Sequence, residues 1–347
     1  MHPAFASLTL ALFASLGLSA CGGGGGDGAG VISSSTSLNN SVTNVAVTIP
    51  TPTYAAGSAE LGAWNVLQTA RKLCGFGTLI QNAKLDAAAL AHARYQTSES
   101  MRTGQSVLTH TESGSTATNI YYTGINPWDR SQAQSYGNQV AEILASTTWN
   151  YDLSNAPAFP TQEQRGGSSM RSLLNTVYHL TGAMYHGADV GFGAAMQTAE
   201  TGTARREEFR IGSLNGYQTQ TITLGARQLV TYPCSGSSNI PSSFAPAGES
   251  PNPFPTITDT NVTLGPPIYL KVDAGQTLTL SNFSITTGVS NVAATVLTST
   301  NDPQITSNEI FVVPNAALLP NTNYQVFLNG SISGTPFTRS FTMTTGL

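Results

Sequence analysis

Charge is what this sequence has least of. Asp, Glu, Lys and Arg together make up 9% of its 347 residues, and the formal net charge is −4. With no basic excess, a nucleic-acid surface is excluded, because such a surface needs clustered Lys and Arg to neutralise phosphates. Cysteine is also scarce, with three in the chain. That is too few for a small disulfide-dense scaffold, and Cys74 and Cys234 lie too far apart for a zinc site by spacing. The apolar run near the N-terminus is shorter than the roughly 20 residues a membrane-spanning helix needs. A Gly-x-Ser-x-Gly nucleophile elbow is absent, and Gly191 and Gly193 open no helix that would make them a phosphate loop.

The first 57 residues speak of location. Residues 4–18 have the length of a signal-peptide core, and Leu18-Ser19-Ala20-Cys21 resembles the bacterial lipobox. The resemblance implies a signal peptide over 1–20 and a lipidated Cys21, with several acyl chains making a stable anchor. Gly22 after the Cys is similar to the default outer-membrane signal of a bacterial cell envelope. Residues 21–57, rich in Gly, Ser and Thr and then Pro, read as a flexible linker. In an oxidising compartment the two remaining cysteines, Cys74 and Cys234, are expected to form one disulfide, contributing on the order of 4 kcal/mol.

The rest divides by hydrophobic period. Helical spacing is expected over SAELGAWNVLQTARKL, LDAAALAHARYQTSESM, DRSQAQSYGNQVAEILAST and SSMRSLLNTVYHLTGAMYH. The alternation in ADVGFGAAMQTA, EEFRIGSLN and QTITLGARQLVTYP gives strands, the last two turned at Asn215-Gly216. These elements form an expected α+β domain over 58–237. A Pro-rich linker follows over 238–266. Short strands over 267–347 have the spacing of an all-β immunoglobulin-like sandwich.

The order LDAAALAHARYQ, His110, NPWDR, YGNQVAEILA, LLNTVYH, DVGFG resembles a bacterial CAP domain. That superfamily contains cysteine-rich secretory proteins, antigen 5 and pathogenesis-related class 1 proteins. The resemblance spans 58–237 and implies an α-β-α sandwich whose cleft holds two histidines and two glutamates able to take a divalent cation. Carried over, the first His is His110, the Glu is Glu142 and the second His is His179. The second Glu has no counterpart: Leu174 and Asn175 stand where it belongs, and Glu112 or Glu163 would have to replace it.

Residue chemistry fits such a site. Imidazole nitrogen and carboxylate oxygen suit Zn²⁺, and three protein ligands with an open position is the pattern of a reactive zinc. Taken alone, each residue has a plainer reading: His110 as a solvated loop residue, His179 as a boundary histidine, Glu142 as an exposed helix face. His92 reads as structural, packing between helices, and His186 as a loop residue. The expectation is a lipid-anchored cell-envelope binding module, with a cation site at His110, Glu142 and His179. Its cleft would take a small apolar ligand or an envelope component. The alternative is a cation-dependent, peptidase-like hydrolase using the same residues.

Overall fold

The computed structural model describes residues 45–346. The expected signal peptide, the lipidation site Cys21 and the linker up to residue 44 lie outside the described residues. Among the described residues there are five helices and thirteen strands in three sheets, and no helix is long and apolar enough to cross a membrane.

Helix α1 (Ala59–Cys74) begins where the Ser58 hydroxyl accepts from the Leu61 amide, and it stops at Gly75, whose φ of 78° suits glycine. Next come β1 (Ile80–Gln81), α2 (Ala83–Thr103), α3 (Pro127–Ala133) and β2 (Val140–Asp152). Then come α4 (Gln162–Leu173), α5 (Val177–Ala183), β3 (Gly187–Thr201) and β4 (Ala204–Thr221). The first sheet has the order β1-β3-β4-β2, with β3 and β2 antiparallel to β4 and β1 parallel to β3. Helix α2 lies on Gly191 and Gly193: a Cβ built on either would fall within about 2.2 Å of its backbone. Those two glycines are therefore a close-packing device.

Three expected elements differ. VAEILAST was read as helix on its apolar spacing, but it opens β2. The run continues as Thr147-Thr148-Trp149-Asn150-Tyr151, β-branched and aromatic residues that favour a strand. The helix before it ends at Ala133. The expected fourth helix is two, α4 and α5, broken at 174–176. The expected turn at Asn215-Gly216 is absent, because β4 runs straight through it, paired on both sides.

The remaining strands are β5 (Val230–Tyr232), β6 (Ser237–Ile240), β7 (Ile268–Lys271), β8 (Leu278–Thr287) and β9 (Ser290–Asn291). After these come β10 (Ala294–Leu297), β11 (Glu309–Pro314), β12 (Asn323–Ile332) and β13 (Thr335–Thr345). They make two sheets, β10-β11-β7-β5 and β6-β13-β12-β8-β9. The expected fold class, an α-β-α sandwich followed by a self-standing immunoglobulin-like sandwich, is corrected here. The chain is β-rich, and its three sheets are not partitioned in that way. Strands β5 and β6, one inside the expected first domain and one in the expected linker, pair with β7 and β13.

The core explains why. Strands alternate their side chains between faces. On β7, Ile268 and Leu270 enter one core with Val326, Leu328 and Phe341, while Tyr269 enters another with Trp64, Leu67 and Phe192. On β11, Ile310 and Val312 face the first core, and Phe311 and Val313 the second. This sheet is buried on both faces, one of them against the helices and first sheet. A disulfide joins Cys74, at the end of α1, to Cys234, between β5 and β6. It closes a separation of 160 residues, and a bridge of this kind typically contributes about 2–4 kcal/mol.

Candidate functional site

Five ionisable side chains from four segments meet between α2, α3 and β2. His92 comes from α2, His110 and Glu112 from the loop after it, Arg130 from α3, and Glu142 from β2. In a chain so poor in charge this is a notable concentration, and most of it is buried: His92, Glu112 and Arg130 have fully buried side chains, and Glu142 is 2% exposed.

Local structure positions each group. Pro127 and the Asn126–Asp129 capping box start α3, a short helix that carries Arg130 inward. The Arg130 guanidinium donates to both Glu142 carboxylate oxygens, at 2.7 and 2.8 Å, and to the carbonyls of His110 and Ile125. Glu112 is held by the backbone amides of Thr123 and Gly124 on one oxygen and by His92 Nδ1 at 2.8 Å on the other. His92 Nε2 lies 2.8 Å from the Thr109 carbonyl. Both ring nitrogens of His92 thus face acceptors, an arrangement that only the doubly protonated ring satisfies in full. Two carboxylates are then balanced by a guanidinium and an imidazolium, which is how buried charge becomes tolerable. Burial alone pushes the Glu142 carboxyl up. His92, the His110 hydrogen bond and Arg130 outweigh it, so the group sits below the ordinary glutamate range.

His110 is the outward-facing member. Its Nδ1 lies 2.9 Å from Glu142 Oε2, and its side chain is 43% exposed. With Nδ1 donating to the carboxylate, Nε2 carries a lone pair and has no hydrogen-bond partner among the described residues. Three exposed apolar residues occupy the same stretch: Leu108, Ile125 and Trp128. Arg130 ties Ile125 to His110 through their carbonyls.

The structure therefore brings together His110 and Glu142, and Glu112 joins them through His92 and Arg130. It does not bring His179. Ile143 of β2 meets α5, where a Cβ on Gly182 would lie 2.6 Å from the Ile143 side chain. Glu142, the next residue along the strand, points to the other face. His179, on α5, instead lies 3.1 Å from Glu249 and 2.8 Å from the Thr176 hydroxyl. Glu249 also accepts from the amides of Val177, Tyr178 and His179, so it caps that helix. Glu163 sits in the first turn of α4. His92, read from sequence as structural, is hydrogen-bonded at the centre of the cluster, and Arg130 was not singled out at all. The signal available for both was the need of two buried carboxylates for cationic partners.

As placed, the donor set does not make a multidentate cation site. Both Glu142 oxygens are taken by Arg130 and His110, both nitrogens of His92 are bonded, and His179 lies elsewhere. Within the cluster, His110 Nε2 is the open ligand atom among the described residues. Among the described residues no group of three or more His, Cys, Asp or Glu side chains is arranged to hold a metal ion. No family model matches the chain, and no curated protein matches it in sequence.

Proposed function

We propose that the protein is a binding module of the bacterial cell envelope, anchored through Cys21, whose contact surface is centred on His110. Ile125 and Trp128 supply the apolar contacts of that surface, and His110 Nε2 supplies a directed polar one. The observation that carries this reading is the 2.9 Å contact between His110 Nδ1 and a buried, Arg130-clamped Glu142, with the imidazole left open to solvent. A carboxylate behind an imidazole fixes both its orientation and its tautomer. A buried cluster in which Arg130 and His110 hold both Glu142 oxygens gives the exposed ring a rigid base, which lowers the ordering cost of binding. Trp128, exposed two residues before Arg130, is of the residue type that most often dominates an interface.

The binding reading is favoured over the hydrolase because, among the described residues, the groups next to His110 are engaged with one another. The nearby Thr109 and Thr111 hydroxyls are within hydrogen-bonding distance of each other, at 3.2 Å, and Glu142 is committed to Arg130. The partner is an envelope component with an apolar face and a hydrogen-bond donor. Excess Zn²⁺ is expected to compete for the same nitrogen. Co-sedimentation of the full chain with isolated envelope fractions tests the proposal. Retention by one fraction is expected, weakened about tenfold by His110→Ala and by Trp128→Ala. Retention unchanged in both variants, or absent from every fraction, contradicts it.

A further inference from the structure

A second place in the molecule has open space and unspent donors. A cavity of about 200 Å³ lies where the ends of α1, α5 and β4 meet the end of β7, lined by Phe76, Met184, His186, Leu224, Lys271 and Asp273 among others. It is remote in function from His110, and none of the residues of that cluster lines it.

Its polar groups can be counted. Lys271 is 8% exposed at its side chain and donates to the Met184 carbonyl at 3.0 Å and to Glu309 at 3.4 Å. An ammonium has three donors, so one N–H has no partner among the described residues. Glu309 is also held by the Tyr269 and Thr306 hydroxyls. Asp273, at the mouth, accepts from the Leu224 and Gly225 amides, one on each oxygen. The half-buried His186 ring lies 4.3 Å from the Tyr185 ring and has no hydrogen bond among the described residues. Behind this wall, fully buried Arg71 donates to the carbonyls of Phe76, Gly77, Ala183 and Tyr185, with no carboxylate of the described residues hydrogen-bonded to it. The carboxylates here are occupied, while a lysine N–H and a histidine ring are not. What is missing is an acceptor, and the walls are apolar and aromatic.

We infer that this cavity binds a small carboxylate with an apolar, ring-containing body, its head on Lys271 and His186 and its ring among Phe76, Met184 and Leu224. The size fits. Drug-sized ligands take pockets of about 300–1,000 Å³, so this one suits a single substituted ring. A carboxylate on a desolvated ammonium makes a charge-assisted hydrogen bond, which a neutral alcohol of the same shape makes more weakly.

The test is titration of the full chain with benzoate and, separately, with benzyl alcohol, followed by calorimetry or ligand-observed NMR. Saturable benzoate binding with a Kd on the order of 1 mM or tighter is expected for so small a ligand. Benzyl alcohol is expected to bind at least about tenfold more weakly, the loss of a charge-assisted bond. Lys271→Met should remove that preference. Ala274→Trp, at an exposed lining position of the cavity, should abolish binding of both without disturbing the core. Absence of saturable benzoate binding, equal affinity for the two probes, or benzoate binding unaffected by Ala274→Trp overturns the inference.

Discussion

Two of the buried groups of charges among the described residues are built differently. Between α2, α3 and β2 every carboxylate of the His92–Glu112–Arg130–Glu142 cluster meets a cation, and the chain leaves a single imidazole nitrogen for the outside. At the junction of α1, α5 and β7, among the described residues, Arg71 is held by carbonyls alone and Lys271 keeps a donor in reserve beside a cavity. Burial pushes the Arg71 guanidinium down to about 9 and the Lys271 ammonium below its ordinary value. The first arrangement spends its charges on holding one side chain rigid. The second leaves them partly unspent, which is the state a ligand can improve. Buried charge by itself does not mark a site; what distinguishes the two is which groups remain unsatisfied.

The comparison is broken most severely at Arg130. Arg130→Met leaves Glu142 and Glu112 buried with one cation between them, and removal of one partner from a buried pair costs about 3–5 kcal/mol. Urea unfolding of the full chain should show that loss, and a loss under 1 kcal/mol, allowing for scatter of about 0.5, would mean the cluster is solvated.

Next in size is the covalent tie between the two regions. Cys74→Ser with Cys234→Ser is expected to cost about 2–4 kcal/mol, read as a lower Tm. Because β5 and β6 dock the second and third sheets onto the first region, one cooperative transition is expected in the parent protein. Two well-separated transitions would mean that the regions fold independently.

The smallest effect sharpens the contrast through pH. Burial first, then Lys271, holds the His186 imidazole below its ordinary value. The unfolded chain therefore takes up that proton before the folded one does. Stability falls as pH drops below the free imidazole value of about 6.5. Glu142 is held low despite its burial, so its contribution is present above the ordinary glutamate value of about 4.3 and is lost only as pH falls through the folded value. Acid should weaken the junction first and the His110 cluster later. His186→Phe should remove the first limb of a stability–pH curve and leave the second. A curve flat down to the glutamate range in the parent protein contradicts this order.

How much of this was legible depends on the element. Helices α1 and α2 could be read from their stripes, and the Cys74–Cys234 pair from redox context alone. Spacing does not announce the hydrogen bond between His110 and Glu142, which joins a loop to a strand where a helix was expected. VAEILA is apolar enough for either period, and Thr147 to Tyr151 decide it. The runs IYLKV and EIFVVP are among the short strands expected to form an immunoglobulin-like sandwich. Their unbroken apolar character is that of strands buried on both faces, and it signalled the third layer behind them. Strands β5 and β6 are three and four residues long, with partners near 270 and 343; no local pattern announces such pairings. His179 was misplaced for a related reason, since the face it occupies is fixed by Ile143 packing on α5.

The account rests on Glu142 orienting His110 so that Nε2 stays open. Ring ¹⁵N NMR of histidine-labelled full chain tests this most directly, at a pH about two units above the free imidazole value of about 6.5, with the His110 signals assigned by their loss in His110→Ala. The expected result is the Nδ1-protonated tautomer with an unprotonated Nε2, the reverse of the preference of a free histidine side chain. A His110 ring protonated at Nε2 would contradict the account.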